Sequence, residues 1–403
     1  MTLRVLLATR IFAPESAAAT FRLTALVRAL ADRASVQVLT TTPPPSLRGA
    51  PSRGPGAEDT GGGVTVSRWP ALRDSTGYVR GYLPYLSFDL PLALRLLTVP
   101  RPDVVVVEPP PTTGAVTRVI LAARGLRGPR IPYVYYAADV WSDATASMGA
   151  PAPVVGLMRW VERFALRGAR DVVAVSDGVA ERVRALAGPD SGASVTVVPN
   201  GIDTDVFTPL GDPHPDAPGT PYLVYAGTAS EWQGAEIFAE AMREVVREEP
   251  RARLVFLGQG SSWLALQRIR DDLPVGAIEL RPLAPPAEAA AWQRGAAAAL
   301  VSVRPGVGYD FAYPTKVIAA VACGTPVVFA GPGPAAADVA EHGLGEAVGY
   351  DVGQVARAML AALRAHRGGR DPGADEARVH WARTHRSLTA TGRAAADVVL
   401  RGP

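Results

Sequence analysis

The run Asp103-Val104-Val105-Val106-Val107-Glu108 places four successive valines between two acids, and Pro109-Pro110-Pro111 follows at once. It is too short for a buried helix and shows no polar alternation, so it predicts a strand covered on both faces, as in a parallel sheet flanked by helices. The same theme recurs along the chain. Further strands are predicted over 4–8, 36–39, 64–67, 133–137, 171–175 and 195–198, with helices over 20–32, 112–123, 154–166 and 178–187, the last capped by Ser176-Asp177. A second alternation begins at Tyr222 and runs through strands near 254–257, 278–281, 298–301 and 326–329. Helices over 235–248, 263–271, 288–295 and 315–322 lie between them, and helices over 352–365 and 377–400 follow. Alternation of this kind predicts an α/β class with two doubly wound domains, 1–205 and 206–376. A length of 403 residues agrees with two cores.

Between the two alternations stands Val198-Pro199-Asn200-Gly201-Ile202-Asp203, which contains the chain's sole asparagine. Asn-Gly after a strand predicts a turn in which both residues accept positive φ. Residues 40–63 are rich in Pro, Gly, Ser and Arg and read as a mobile surface loop. In the segment 78–97, Tyr78, Tyr82, Tyr85, Phe88, Leu92 and Leu96 partly align on a helix. It reads as core packing, with a greasy face toward a membrane or a lipid-linked acceptor as the alternative.

Lys316 is the chain's sole lysine; elsewhere positive charge is supplied by arginine. An ammonium is a compact point charge and a guanidinium a planar fork, so a retained lysine suits a single phosphate oxygen met in a narrow space. It stands at the head of an apolar helix beginning at Thr315, where unpaired N–H groups and the positive dipole end favour phosphate. In the other half, the loop after the first strand offers Glu15, Ser16 and Arg22 but no G-x-G-x-x-G, which argues against a dinucleotide fingerprint. Arg22, read as lying in a helix's first turn, is placed either to meet an anion or as a surface charge.

The net charge of +3 with scattered arginines excludes a nucleic-acid partner. A single cysteine, Cys323, rules out an internal disulfide, fits a reducing cytoplasm, and reads as a small packed residue. No leader and no apolar run of membrane-spanning length, about 20 residues, is present. The expectation is a cytoplasmic protein, held in solution or clinging to the inner membrane face. Asp203-Thr204-Asp205 is the sole D-x-D and reads as a turn, so no metal is expected.

The hinge motif VPNGIDTDVFTP, the second-domain opener YAGTASEWQG and the late block PTKVIAAVACGTPVV together resemble family-four glycosyltransferases of the GT-B fold, over essentially the full length. RIFAPESAAATFR, the segment 78–97 and YYAADVWSDA resemble the subgroup with a PSK-type block, which builds polysaccharides or glycoconjugates. The resemblance implies two Rossmann-like domains facing across a cleft, with the final helix, 377–400, returning to the first. It also implies a nucleotide-sugar donor held by the second domain, an acceptor held by the first, transfer with retention of configuration, and no cofactor beyond the donor.

Carried over by residue, Lys316 would hold the donor diphosphate and stabilise charge on the departing phosphate. N–H groups at Thr315 and Gly227-Thr228 would assist, and Asp310 and Tyr313 would lie by the donor sugar, with Pro314 and Ala319 in the same block. Trp232 would stack on base or sugar, or pack at the surface. Asp139, with Asp143, would orient the acceptor hydroxyl or take its proton, and Glu15, Ser16 and Arg22 would line the acceptor side. The family's ribose-binding glutamate, three residues beyond the lysine, is Ala319 here, and the second domain's usual Arg and Lys pair is replaced by Glu231 and Gln233. These departures suit an unusual donor or a natural-product acceptor. Two rivals stay open: an inactive partner that keeps the fold, and a nucleotide-sugar epimerase. The latter normally relies on cleft histidines, whereas His214, His342, His366, His380 and His385 fall in loops or the carboxyl-terminal region.

Overall fold

A computed structural model of the chain describes residues 2–15, 18–44, 63–74, 79, 81–147 and 149–402. Ser16, Tyr78 and most of the proline- and glycine-rich stretch expected as a loop lie outside the described residues. The chain divides into two compact units, Met1–Asn200 with Leu388–Pro403, and Gly201–Ser387.

The first unit runs β1 (Leu3–Ala8), α1 (Ala18–Ala31), β2 (Ala34–Thr41), β3 (Val64–Trp69), α2 (Tyr82–Thr98), β4 (Val104–Val107), α3 (Pro111–Gly125), β5 (Tyr133–Ala137), α4 (Trp141–Ser147), α5 (Ala152–Gly168), β6 (Asp171–Ala174), α6 (Asp177–Ala187) and β7 (Ser194–Val197). Its parallel sheet has the order β3-β2-β1-β4-β5-β6-β7. Valines 104 to 107 are all buried, as a central strand covered by helices on both faces requires. The order reverses between β1 and β4, so the loops leaving their carboxyl ends diverge and open a crevice at the sheet edge.

The second unit runs β8 (Tyr222–Ala226), α7 (Glu236–Glu248), β9 (Arg253–Leu257), α8 (Trp263–Asp271), β10 (Ile278–Arg281), α9 (Pro286–Gly295), β11 (Ala298–Ser302), α10 (Thr315–Ala322), β12 (Val327–Ala330), α11 (Pro334–Glu341), β13 (Gly345–Val348), α12 (Val352–Arg367) and α13 (Pro372–Arg386). Its order, β10-β9-β8-β11-β12-β13, repeats the same winding, with the reversal between β8 and β11. Strand β13 and helix α11 escape the sequence reading, because Gly-Glu-Ala-Val at a sheet edge is half exposed and carries no apolar run.

The helix expected over 377–400 is two helices. α13 ends at Arg386, Ser387 is extended at φ −74° and ψ 150°, and α14 (Leu388–Val399) belongs to the first unit. Ser387 pairs in parallel with Ile202, whose N–H donates to the Arg386 carbonyl at 2.8 Å. That pairing fixes the boundary at Ser387 rather than near 377, and the other boundary at Asn200 rather than 205. Asn200-Gly201 is not the predicted turn either: Gly201 is not among the described glycines with positive φ. Asp203 does close a turn, its carboxylate accepting the Asp205 N–H at 3.0 Å.

α2 divides the segment once read as core. Phe88, Leu92 and Leu96 are buried, while Leu83, Leu86, Leu90, Leu94 and Leu97 form an exposed stripe. Its buried Arg95 donates to the Thr40 carbonyl at 3.2 Å and the Ser67 hydroxyl at 2.9 Å, and Asp89 accepts the Thr113 hydroxyl at 2.7 Å.

α14 seals the face of α1 through a backbone approach at Gly392, where an added Cβ would stand 2.5 Å from the Ala25 carbonyl oxygen. Gly392→Ala must push the two helices apart. The expected outcome is a loss of about 1–3 kcal/mol, as for overpacking elsewhere, read as a lowered urea midpoint of the first unit.

Candidate functional site

In the second unit Lys316 occupies the first turn of α10, which follows β11 at the point where the strand order reverses. Its half-buried amine donates to the Tyr225 hydroxyl at 2.6 Å and to the Thr228 carbonyl, and it lies 3.9 Å from the centroid of the Tyr225 ring. The Tyr225 hydroxyl in turn donates to the Thr228 carbonyl at 2.9 Å. All of these partners are neutral. Burial therefore pushes the Lys316 amine down to about 7, because no carboxylate compensates for lost water.

The loop leaving β8 is shaped to let this side chain lie flat. Gly227 takes φ +117°, and a Cβ there would meet the Lys316 side chain at 2.9 Å. Its N–H donates to the Leu257 carbonyl at 2.7 Å, which corrects the expectation of a donor free for phosphate. Thr228 presents its carbonyl toward the lysine. Thr315 is exposed as the first helical residue, Pro314 precedes it with no side-chain cap, and Ala319 is buried within the apolar helix. Cys323, at the end of α10, is buried and its thiol is pushed up to about 12, so it is a packing residue and not a nucleophile.

Around this helix the other predicted residues hold one another. Trp232 stacks on Tyr309 with centroids 5.2 Å apart, and Tyr309 stacks on Phe311 at 6.4 Å, giving a short aromatic ladder with exposed edges. Asp310 accepts the Gly306 N–H at 3.1 Å and so closes its own loop. Tyr313 donates to Asp338 at 2.9 Å beneath the Arg386 guanidinium, 4.4 Å from its ring. Asp338 also pairs with Arg386 at 2.7 Å. Tyr313 thus anchors α10 to α11 and α13 instead of offering a free hydroxyl.

In the first unit a cavity of about 670 Å³ lies at the carboxyl ends of the strands, and Arg10, Glu15, Tyr85, Asp139 and Trp141 are among its lining. Asp139 is exposed as a residue, yet the protein crowding its carboxyl raises the pKa above the usual carboxylate value, with Arg22 acting in the opposite sense. Glu15 is buried and paired with Arg73 at 2.8 Å. Asp143 does not join Asp139: both of its oxygens are held by Arg182 at 2.7 Å.

Arg22 is also committed elsewhere, and it lies past the first turn of α1. It reaches Glu108 and the Asn200 side chain, each at 3.4 Å, above the Tyr136 ring, and Glu108 accepts the Thr9 hydroxyl at 2.6 Å. This buried network ties the ends of β1 and β4 to the residue where the first unit ends. Arg22 is a structural residue, not a lining one.

Arg10, which lines the cavity of the first unit, and Tyr225, which accepts from Lys316, were not among the residues that the sequence singled out. Arg10 had a signal, as the first charge after β1; Tyr225 had none, since a tyrosine in an apolar strand reads as core. The histidines pack elsewhere: His214 stacks on Trp292 at 4.6 Å, and His342 and His385 flank Trp381. Among the described residues no group of three or more His, Cys, Asp or Glu is placed to hold a metal ion.

Comparison with known proteins finds matches to each of the two units. The family profile described as Glycosyltransferase Family 4 matches residues 20–206, and that described as Glycosyl transferases group 1 matches residues 220–365. A D-inositol 3-phosphate glycosyltransferase 2 of Catenulispora acidiphila is 31% identical over 291 residues, 68% of this chain and 65% of that protein. A D-inositol 3-phosphate glycosyltransferase of Segniliparus rotundus is 32% identical over 223 residues, 52% of this chain and 48% of its own. The chain thus spans between about half and two thirds of these relatives. Anabaena HepE, solved in complex with UDP and glucose, superposes with a TM-score of 0.65 at 14% identity, covering 98% of this chain and 99% of that one. WaaG, a glycosyltransferase involved in lipopolysaccharide biosynthesis, gives 0.64 at 15% identity over 99% and 100%. The repeated winding of the two units and the matches to both family profiles lead to one conclusion: the chain belongs to the family-four glycosyltransferases of the GT-B fold.

Proposed function

We propose that this protein transfers a sugar from a nucleotide-diphosphate donor, a UDP-sugar in the first instance, to an acceptor hydroxyl with retention of anomeric configuration. The observation that carries the reading is the Lys316 amine, held at the head of α10 by two neutral oxygens. In the reaction the bond between the sugar C1 and the diphosphate oxygen breaks, the acceptor oxygen bonds to C1, and the acceptor proton is released. Negative charge gathers on the departing diphosphate, and the ammonium with the α10 N-terminus opposes it. Asp139 orients the acceptor hydroxyl or takes its proton, a task to which a raised pKa is suited. The reading calls for no cofactor beyond the donor and the acceptor. Support for UDP comes from HepE, solved with UDP-glucose, and from relatives named as glycosyltransferases. Ala319 offers the ribose no carboxylate, so the aromatic edges at Trp232 and Tyr309 hold the nucleoside instead.

The acceptor is a glycan, a lipid-linked glycan or a natural product, and the protein works in the cytoplasm with peripheral contact to the inner membrane face. No described helix is long and apolar enough to cross a membrane. The leucine stripe of α2 supports surface contact, as do exposed Leu157 and Trp160 on α5 beside Arg159, Arg163 and Arg167.

Three outcomes are expected. UDP release from UDP-glucose and related donors falls about 100-fold or more in Lys316→Ala, the scale of losing one transition-state donor. In Asp139→Asn it falls by a similar factor of about 100 with UDP binding unchanged. Traces that match the unaltered protein for Lys316→Ala would leave an inactive partner as the better reading, and donor isomerisation without acceptor would favour the epimerase.

The second outcome concerns protons. A bound diphosphate favours the charged amine and so raises its pKa from about 7; between those two values the complex holds more protons than the free protein. UDP binding at pH 8 therefore takes up a proton and weakens as pH rises. Calorimetry in buffers of different ionisation heat shows the uptake, and Lys316→Met abolishes it.

The third is membrane contact. Vesicles rich in phosphatidylglycerol sediment the protein at low salt, and the double substitution Leu90→Glu with Leu94→Glu leaves it in the supernatant.

A further inference from the structure

The cavity of the first unit is lined by a cation, Arg10, that forms no ion pair among the described residues. The Arg10 guanidinium lies 5.0 Å from the centroid of the Tyr85 ring and 5.5 Å from that of Trp141. Its Nε and Nη1 are shut off from solvent and have no hydrogen-bond partner among the described residues. None of the neighbouring carboxylates pairs with it. Glu15 is paired with Arg73. Asp89, buried nearby, accepts the Thr113 hydroxyl; burial raises its pKa and the Arg10 charge acts in the opposite sense, without a hydrogen bond between the two. Asp139, in the same lining, makes no ion pair with Arg10, and the Arg22 charge acts on it only against the larger effect of burial. A guanidinium that lines a cavity without an ion pair is a favourable seat for an anion that enters it.

Glu15, Asp139, Thr112 and Thr145 add polar groups to the lining, and one wall is apolar, with Tyr85, Trp141, Val154, Leu157, Met158 and Val161. Leu86 and Leu157 both line the cavity and are 47% and 62% exposed, so the apolar lining continues out onto the surface. A small acceptor that is polar all over, such as an inositol phosphate, would leave this wall without a partner. A long or flat apolar body would cover it.

We propose that this cavity binds the acceptor, and that the acceptor is an amphiphilic acid: an apolar body lies along the Tyr85, Trp141 and Leu157 wall while a carboxylate or phosphate sits on Arg10. Naming the ligand as acceptor rests on the transferase reading above. The binding does not, so it is measured without donor.

The test is calorimetric titration of the full chain with 12-hydroxydodecanoate, its methyl ester, citronellyl phosphate and myo-inositol 1-phosphate. The acid and the prenyl phosphate are expected to bind saturably, the ester about tenfold or more weaker, as one lost charge-assisted hydrogen bond gives, and inositol phosphate not at all. The tighter of the two anions identifies the source of the acid, fatty or phosphorylated. Arg10→Gln should reduce acid binding to the level of the ester while leaving ester and UDP binding unchanged. Equal affinity of acid and ester in the unaltered protein overturns the proposal without need of any variant. So does binding of inositol phosphate as tight as the acid, binding of neither anion, or an acid preference that survives in Arg10→Gln. Loss of UDP release in Lys316→Ala with these titrations intact would uphold both readings; normal UDP release in that variant would undo the transferase reading alone.

Discussion

In the second unit a single amine faces only neutral oxygens. Lys316 has Tyr225 and Thr228 for company, and neither carries charge. Had a carboxylate stood there, the ammonium would be stable and spent. Its pKa near 7 instead marks a positive charge that is incomplete until an anion arrives. The scaffold serves this arrangement at several points. β8 brings Tyr225, the left-handed Gly227 clears space for the side chain, and the lines from Tyr313 to Asp338 and Arg386 keep α10 in place.

The first unit is organised on the opposite principle. Its buried charges are mostly satisfied within the protein: Arg22 with Glu108, Glu15 with Arg73, and Asp171 with Arg170. Against that background Arg10 stands out, since pairing is what makes a buried charge tolerable. The two units share one winding and differ in where they leave charge unmatched.

Most strands and helices were legible because buried parallel strands such as Val104–Val107 carry an unmixed apolar run. The boundary at Ser387 was not: the sequence His385-Arg386-Ser387-Leu388 has no glycine or proline, and the break arises from pairing with Ile202, almost two hundred residues away in the chain. The same limit applies to side chains. Sole occurrence pointed to Lys316 and to Asn200, but it could not tell a ligand-facing role from the internal one that Asn200 has with Arg22. Residue type predicted Asp143 and Arg22 as functional groups; only their partners, distant in sequence, showed both to be already engaged. Arg10 was passed over for the converse reason, because lack of a partner is not written in any local pattern.

The return of α14 onto α1 bears on how the protein is made. The first two hundred residues leave the ribosome with the apolar face of α1 uncovered, and Ala395, Ala396, Val398 and Val399, which bury it, are synthesised only after the whole second unit. The second unit, contiguous from Gly201 to Ser387, has all of its strands before the first has its closing helix. Maturation of the amino-terminal sheet is thereby postponed until the second unit has been made, and a nascent chain halted before Leu388 exposes a greasy surface for chaperones to hold.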